Sequence, residues 1–194
     1  MWSLNNFKQE SWAYKNNIFD DIECQKIIDY GLSKQLESGK VGNIDLSLPN
    51  LNIRNSNVSW FSNPNDEQEN WIHTRCAEAV NYINGMFFRY DLTMVQDLQF
   101  TVYKDIEQQY YSKHIDVISH IGMPRKLSFS ILLNSPEDYS GGELAFYYSS
   151  NPEVPVQPRG RGIFFPSHTL HEVTPVTKGT RYALVGWCVG PHLK

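Results

Sequence analysis

Four residues of this 194-residue chain combine types and spacing that could do chemistry: His114, Asp116, His171 and Arg181. In an extended segment residues i and i+2 point to the same face, so His114 and Asp116 can aim at one point while Ile115 turns away. Two imidazoles and a carboxylate can hold a divalent iron on one face and leave its remaining coordination positions open. No thiolate lies nearby, which favours iron(II) over a closed structural zinc site. Arg181, ten residues past the second histidine, adds a permanently charged planar fork suited to a carboxylate. Such a set suits oxygen chemistry. His168 competes as a ligand, but His171 precedes the alternating Val173 and Val176 and is better placed on a strand.

These side chains need a rigid frame. Residues 12–19 read as an opening strand, and Asp20 or Asp21 offers a helix cap. Ile22, Ile27, Ile28 and Leu32 then give helical spacing to about Gln35. A loop follows over 36–52, with Gly39, Gly42 and Pro49. A second helix is expected from Asn65-Asp66-Glu67, after Pro64, carrying Trp71, Ile72, Cys76, Ala79, Val80 and Ile83 to about Asn84-Gly85. From Phe87 the texture is aromatic and β-branched, with strands expected over 86–91, 97–103, 126–133, 143–148, 162–166, 171–176 and 181–189. The last two should form a hairpin about Thr177-Lys178-Gly179-Thr180, which would set Arg181 on a strand beside a ligand. Adjacent strands lie about 4.8 Å apart, so a short dicarboxylate could bridge metal and guanidinium. Two helices before many short strands imply an α+β domain whose helices buttress a sandwich or barrel. One domain over 1–194 is expected, with helical support at about 20–85 and a strand core at about 86–190.

The net charge of −4 and a pI near 5.8 argue against a nucleic-acid partner, which usually meets a basic surface. No apolar run of about 18 residues suggests a membrane span, and Met1–Asn6 shows no secretory pattern. Cys24, Cys76 and Cys188 are odd in number and far apart, as expected of reduced thiols in a cytoplasmic protein.

Longer motifs carry a resemblance to a family. Phe19-Asp20-Asp21-Ile22 through Ile28 is similar to an opening helix of the iron(II)- and 2-oxoglutarate-dependent dioxygenases of the prolyl 4-hydroxylase type, especially the bacterial and viral branch. Arg125–Asn134, Gly141-Gly142-Glu143-Leu144-Ala145-Phe146, Leu170–Val176, Gly179-Thr180-Arg181 and Trp187 resemble the same family in the same order. The resemblance implies a double-stranded β-helix, or jelly roll of cupin-like form, buttressed by N-terminal helices. It implies iron(II) on His114, Asp116 and His171, and 2-oxoglutarate held through its distal carboxylate by Arg181. Tyr103 resembles a tyrosine that contacts this co-substrate. The segment between it and His114 is about two residues longer than usual and lacks a glycine, so Tyr111 stands as the alternative phenol. Arg125 and Trp187 match positions beside the substrate's reacting carbon. The implied reaction uses O2 to hydroxylate a prolyl residue of a peptide or protein, releasing succinate and CO2, with ascorbate in support. Loops at 36–60, 104–110 and 149–161 could form the peptide groove. Because only neutral imidazole ligates, activity is expected to fall below about pH 6.5. Free amino acids or small metabolites are alternative substrates, and a non-catalytic cupin-like metal-binding module is the alternative from another class. Oligomeric state is not legible.

Overall fold

A computed structural model describes residues 10–40, 52–63, 65–120 and 122–192. Gly42, Pro49 and Pro64 lie outside these, as do residues 1–9. Helix α1 (Asp21–Ser33) starts at Asp20, which accepts from the Glu23 amide at 2.8 Å while Glu23 accepts from the Asp20 amide at 3.0 Å. That reciprocal pair satisfies two amides the helix leaves unbonded. Helix α2 (Glu67–Ile83) is capped by Asp66 and carries Glu67 and Glu69 at the positive end of its dipole.

The strands are β1 (Ala13–Lys15), β2 (Glu37–Ser38), β3 (Arg54–Asn55), β4 (Asn57–Phe61), β5 (Met94–Val95), β6 (Leu98–Lys104), β7 (Tyr110–His114), β8 (Ser119–His120), β9 (Met123–Leu132), β10 (Tyr139–Gly141), β11 (Leu144–Phe146), β12 (Gly162–Pro166), β13 (His171–Val173) and β14 (Val176–Val189). The larger sheet runs β1-β12-β9-β14-β6-β4-β2, with β5 and β10 on β14 and β8 on β9. The smaller is β11-β13-β7-β3, and every pairing is antiparallel. This α+β arrangement is the expected jelly roll.

Strand alternation separates two environments on the larger sheet. Leu98, Phe100, Leu127, Phe129, Ile131, Leu184 and Cys188 join Cys24, Ile27, Ile28, Ile72, Cys76, Ala79, Val80 and Ile83 of the helices in the main core. Their neighbours Gln99, Thr101, Tyr103, Ser128, Ser130 and Arg181 are also buried, on the other face. A buried sheet face that polar must find partners inside the sandwich. Helix α1 comes close to the sheet because Gly31 has no side chain: a Cβ there would meet the Phe100 ring at 2.5 Å.

Three expectations need correction. Residues 86–91 are not a strand; α2 runs into a π-helical turn, Asn84–Phe88, ending at Arg89 with φ +56°. The Asn84 side chain holds that turn, bonding the Tyr90 amide and carbonyl at 2.9 Å each. Nor is there a hairpin about residues 177–180. Strand β13 lies in the smaller sheet, whereas β14 already begins at Val176 in the larger one. Thr174-Pro175 is the corner between sheets, and Gly179 is a positive-φ kink within β14 whose amide donates to Asp105 Oδ2 at 2.7 Å. Short strands β2 and β3 occupy what read as loop. No described helix is long and apolar enough to cross a membrane.

Candidate metal centre

His114 ends β7 and His171 begins β13, and the two are direct partners in the ladder. Asp116 is just past the end of β7, with its amide donating to the Ser167 carbonyl at 2.8 Å. The i, i+2 pairing therefore holds in effect, although Asp116 is off the strand. Ile115 turns outward and is half-exposed, as the alternation requires. Ligand atoms of His114, Asp116 and His171 all lie within 4.8 Å of one another, an arrangement that could hold a metal ion. Nε2 of His114 is 3.6 Å from Asp116 Oδ1, and Nε2 of His171 is 3.7 Å from Oδ2.

The far side of each imidazole fixes its tautomer. Nδ1 of His114 is 2.7 Å from the Ser112 carbonyl, and Nδ1 of His171 is 2.9 Å from that of Thr169. A carbonyl only accepts, so both Nδ1 atoms donate and both Nε2 lone pairs face Asp116. Burial, with the facing His171, pushes His114 down to about 4. Its contribution to the acid limb expected near pH 6.5 accordingly moves lower. Burial pushes the Asp116 carboxyl up, but His171 and His114, with Ser128 and Trp187, hold it below the usual carboxylate range. A neutral imidazole and an ionised carboxylate are the forms that ligate. His168 is exposed and outside the cluster.

Arg181 approaches from the opposite sheet. It is 1% exposed, and its Nε and Nη2 have no hydrogen-bond partner among the described residues. It lines an inner chamber of about 40 Å³ together with the triad, Tyr103 and Tyr111. Tyr103 pairs with it in register, and the guanidinium carbon is 5.7 Å from the Tyr103 ring centre. Tyr111 instead stacks on His114, with ring centres 3.5 Å apart and planes 12° from parallel. The two candidate phenols thus stand at different ends: Tyr103 beside the guanidinium, Tyr111 beside the triad. Burial raises Tyr111 to about 12, so it stays neutral. Between Tyr103 and His114 the chain makes an exposed turn, Asp105–Glu107, and Gln108 takes the left-handed conformation (φ +46°).

Outside the chamber opens a cleft of about 310 Å³, which Arg125 and Trp187 both line. The Arg125 guanidinium sits 3.9 Å over the Trp187 ring, and Trp60 lies 6.2 Å from Trp187. Burial lowers Arg125 to about 10, still protonated at neutral pH. The expected groove loops at 104–110 and 149–161 do not line this cleft; Glu37, Ser38, Lys40, Ile115, Asp116 and Ile118 do. Residues 149–161 instead fold back through a two-way bridge between Phe146 and Glu153 and line a separate depression. The sequence reading missed Arg54 and Gln99, which line both cavities. Gln99 and Thr101, set between Leu98, Phe100 and Val102, are a legible signal of a polar inner face; Arg54 gives none.

Residues 98–189 match the family model described as the 2OG-Fe(II) oxygenase superfamily. Over this stretch the chain is similar to that superfamily. The stretch holds all three triad residues and Arg181, and the family it matches implies Fe(II) and 2-oxoglutarate. A PKHD-type hydroxylase from Picosynechococcus sp. is 43% identical over 77 residues, which is 40% of this chain and 35% of that protein. The chain spans little more than a third of the length of the curated relatives it matches. Among solved structures, a prolyl hydroxylase from Trichoplax adhaerens, in complex with a hypoxia inducible factor oxygen degradation domain peptide fragment, superposes with a TM-score of 0.74 at 20% identity. It covers 92% of this chain and 83% of its own. The 2OG complex of the viral collagen prolyl hydroxylase from Paramecium Bursaria Chlorella virus-1 gives 0.67 at 24% identity, covering 96% and 99%. The chain shares their fold.

Proposed function

We propose that this chain is an iron(II)- and 2-oxoglutarate-dependent dioxygenase that hydroxylates a prolyl residue of a peptide or protein. One observation carries the reading: a buried guanidinium with two unpartnered nitrogens shares a chamber with a His-Asp-His cluster. A buried cation without an acceptor is strongly unfavourable, and the distal carboxylate of 2-oxoglutarate would satisfy it. A module that only bound metal would have no use for Arg181 there.

His114, Asp116 and His171 would hold the metal through two Nε2 atoms and a carboxylate oxygen, positioned by the Ser112 and Thr169 carbonyls. Arg181 would fix the far end of 2-oxoglutarate, with Tyr103 beside it. Tyr111 stacks on His114 where chamber and cleft meet and would help to hold that imidazole in place. Arg125, Trp187 and Trp60 would form the wall against which the reacting ring lies. Iron(II) and 2-oxoglutarate, when bound, supply with O2 the oxidation that inserts one oxygen into a C–H bond, releasing succinate and CO2. The prolyl target is supported by the likeness to a prolyl hydroxylase solved with a peptide and by an open cleft beside the triad. The three free, buried cysteines support a reducing, cytoplasmic setting.

The test is mass spectrometry of proline-containing peptides incubated with protein, iron(II), 2-oxoglutarate and ascorbate under air. The expected result is a gain of one oxygen on proline, absent with His171→Ala. Oxygen gain on free amino acids or small metabolites alone would contradict the peptide assignment.

A further inference from the structure

Arg54 is a second buried cation of this site, and nothing in the oxygenase reading uses it. It is 5% exposed. Its Nε donates to Ser56 Oγ at 2.8 Å, Nη1 to the Lys40 carbonyl at 3.3 Å, and Nη2 to Gln99 Oε1 at 2.7 Å. All three acceptors are neutral. Its guanidinium carbon also lies 4.6 Å from the centre of the Tyr111 ring, which eases burial of a cation but cancels no charge. Among the described residues, no carboxylate forms an ion pair with Arg54 or Arg125. Buried arginines are normally matched by an anion.

The placement is built. Gly39 makes room, since a Cβ there would meet Arg54 Nε at 2.5 Å and Ser56 Oγ at 2.5 Å. Arg54 comes from the smaller sheet and reaches Gln99 on the larger one, so it spans the opening between chamber and cleft and lines both. On the cleft wall Lys40 pairs with Glu37 at 3.9 Å, and Asp116 faces the metal position. That leaves Arg54 and Arg125 as the lining cations outside any ion pair among the described residues; Asp116 acts on Arg125 only through space.

We infer that Arg54, with Arg125 facing the same cleft, reads a carboxylate on the substrate close to the carbon that is hydroxylated. This deepens the oxygenase reading and rests on it for the position of the reacting carbon. The carboxylate has two sources: the free carboxyl of the reacting residue itself, or an acidic side chain next to it in a peptide. A charge-assisted pair in a site shielded from water is worth roughly a tenfold or greater preference over the neutral amide.

The experiment measures binding without turnover, by tryptophan emission, on protein loaded with zinc and 2-oxoglutarate. Trp60 and Trp187 stand at the cleft to report it. The probes are L-proline against L-prolinamide, and acetyl-Pro-Asp-amide against acetyl-Pro-Asn-amide. At least one acid is expected to bind roughly tenfold or more tightly than its amide, and the pair that shows it identifies the source. In Gln99→Glu, which hands Arg54 an internal carboxylate, the preference should fall to about twofold or less. Arg54→Met should do the same, and Gln99→Glu keeps the test open if that variant does not fold. Equal binding of acid and amide in both pairs, absence of binding included, overturns the inference. So does a preference that survives Gln99→Glu, or weakened 2-oxoglutarate binding in Gln99→Glu with no acid preference in the wild type. Failure of the oxygenase reading registers separately, as absence of succinate with iron(II) in place of zinc.

Discussion

Arg181 is the single side chain on which 2-oxoglutarate binding should depend most. Its unpartnered nitrogens make the guanidinium half of a charge pair. Arg181→Ala should weaken 2-oxoglutarate binding about 100-fold, ~3 kcal/mol, as expected for losing one side of a buried pair. Titration calorimetry on the zinc-loaded protein measures it; an unchanged Kd would mean the co-substrate does not use this residue. Acid should act on His114. Its folded pKa of about 4 lies below the ordinary value near 6.5, so between those limits the unfolded chain binds a proton that the folded chain refuses. The stability that depends on a neutral His114 in the metal-free protein is therefore fully present above about pH 6.5 and is lost as the pH falls toward 4. The depressed Asp116 carboxyl adds in the same direction at lower pH. Melting temperature followed from pH 7 to pH 4.5 should drop more steeply in wild type than in His114→Asn; parallel curves would contradict this origin.

Elements explain why these side chains meet. The turn at Gly141-Gly142 passes so close to β14 that a Cβ on Gly142 would lie 2.8 Å from Val176 Cγ2 and 3.0 Å from Arg181 Cδ, at φ +64°. Gly142→Ala should therefore shift Arg181 and raise the KM for 2-oxoglutarate several-fold while the fold persists; an unaltered KM would show that Arg181 tolerates the push. Asn134 brackets the same residue, donating from Nδ2 to the Thr180 carbonyl and accepting from the Tyr182 amide, both at 2.9 Å. Far from the chamber, Glu69 is fully buried at the start of α2 and gathers Lys34, the Asn63 amide and the Tyr30 hydroxyl. Glu69→Ala should cost about 3 kcal/mol, the low end for breaking a buried pair because Lys34 keeps some access to water; chemical denaturation gives the number. Much of this was legible in the sequence. The caps at Asp20 and Asp66, the periodicity of both helices and the alternation of β6, β9 and β14 are local signals, and local signals survive folding. His114, Asp116, His171 and Arg181 were legible because their types and spacing stand out in an aromatic, β-branched stretch. The route of the chain at Thr174-Pro175 was not, since Lys178-Gly179 has turn chemistry and only pairing with β10 makes it strand. Arg54 was invisible for the same reason: its meaning depends on Gln99, forty-five positions away and in the other sheet.

As a whole, the molecule is a sandwich whose two sheets each bring half of a site. Helices cover the apolar face of the larger sheet, and the polar face turns toward the smaller one. The triad comes from the smaller sheet and its flanking segment, the guanidinium from the larger, so ligands that join them must also tie the sheets together. Zinc and 2-oxoglutarate at about 100 times their Kd should each stabilise the fold by about 2.7 kcal/mol. Calorimetric melting would detect this as a rise in Tm, smaller for 2-oxoglutarate in Arg181→Ala. The most direct test of the central claim is conversion of 2-oxoglutarate to succinate under air with iron(II) and ascorbate, in the wild type, His171→Ala and Arg181→Ala. The account predicts turnover in the wild type with a proline-containing peptide present, none in His171→Ala, and turnover in Arg181→Ala only at much higher 2-oxoglutarate. Equal succinate from all three, or none from a metal-loaded wild type across the peptide set, would contradict it.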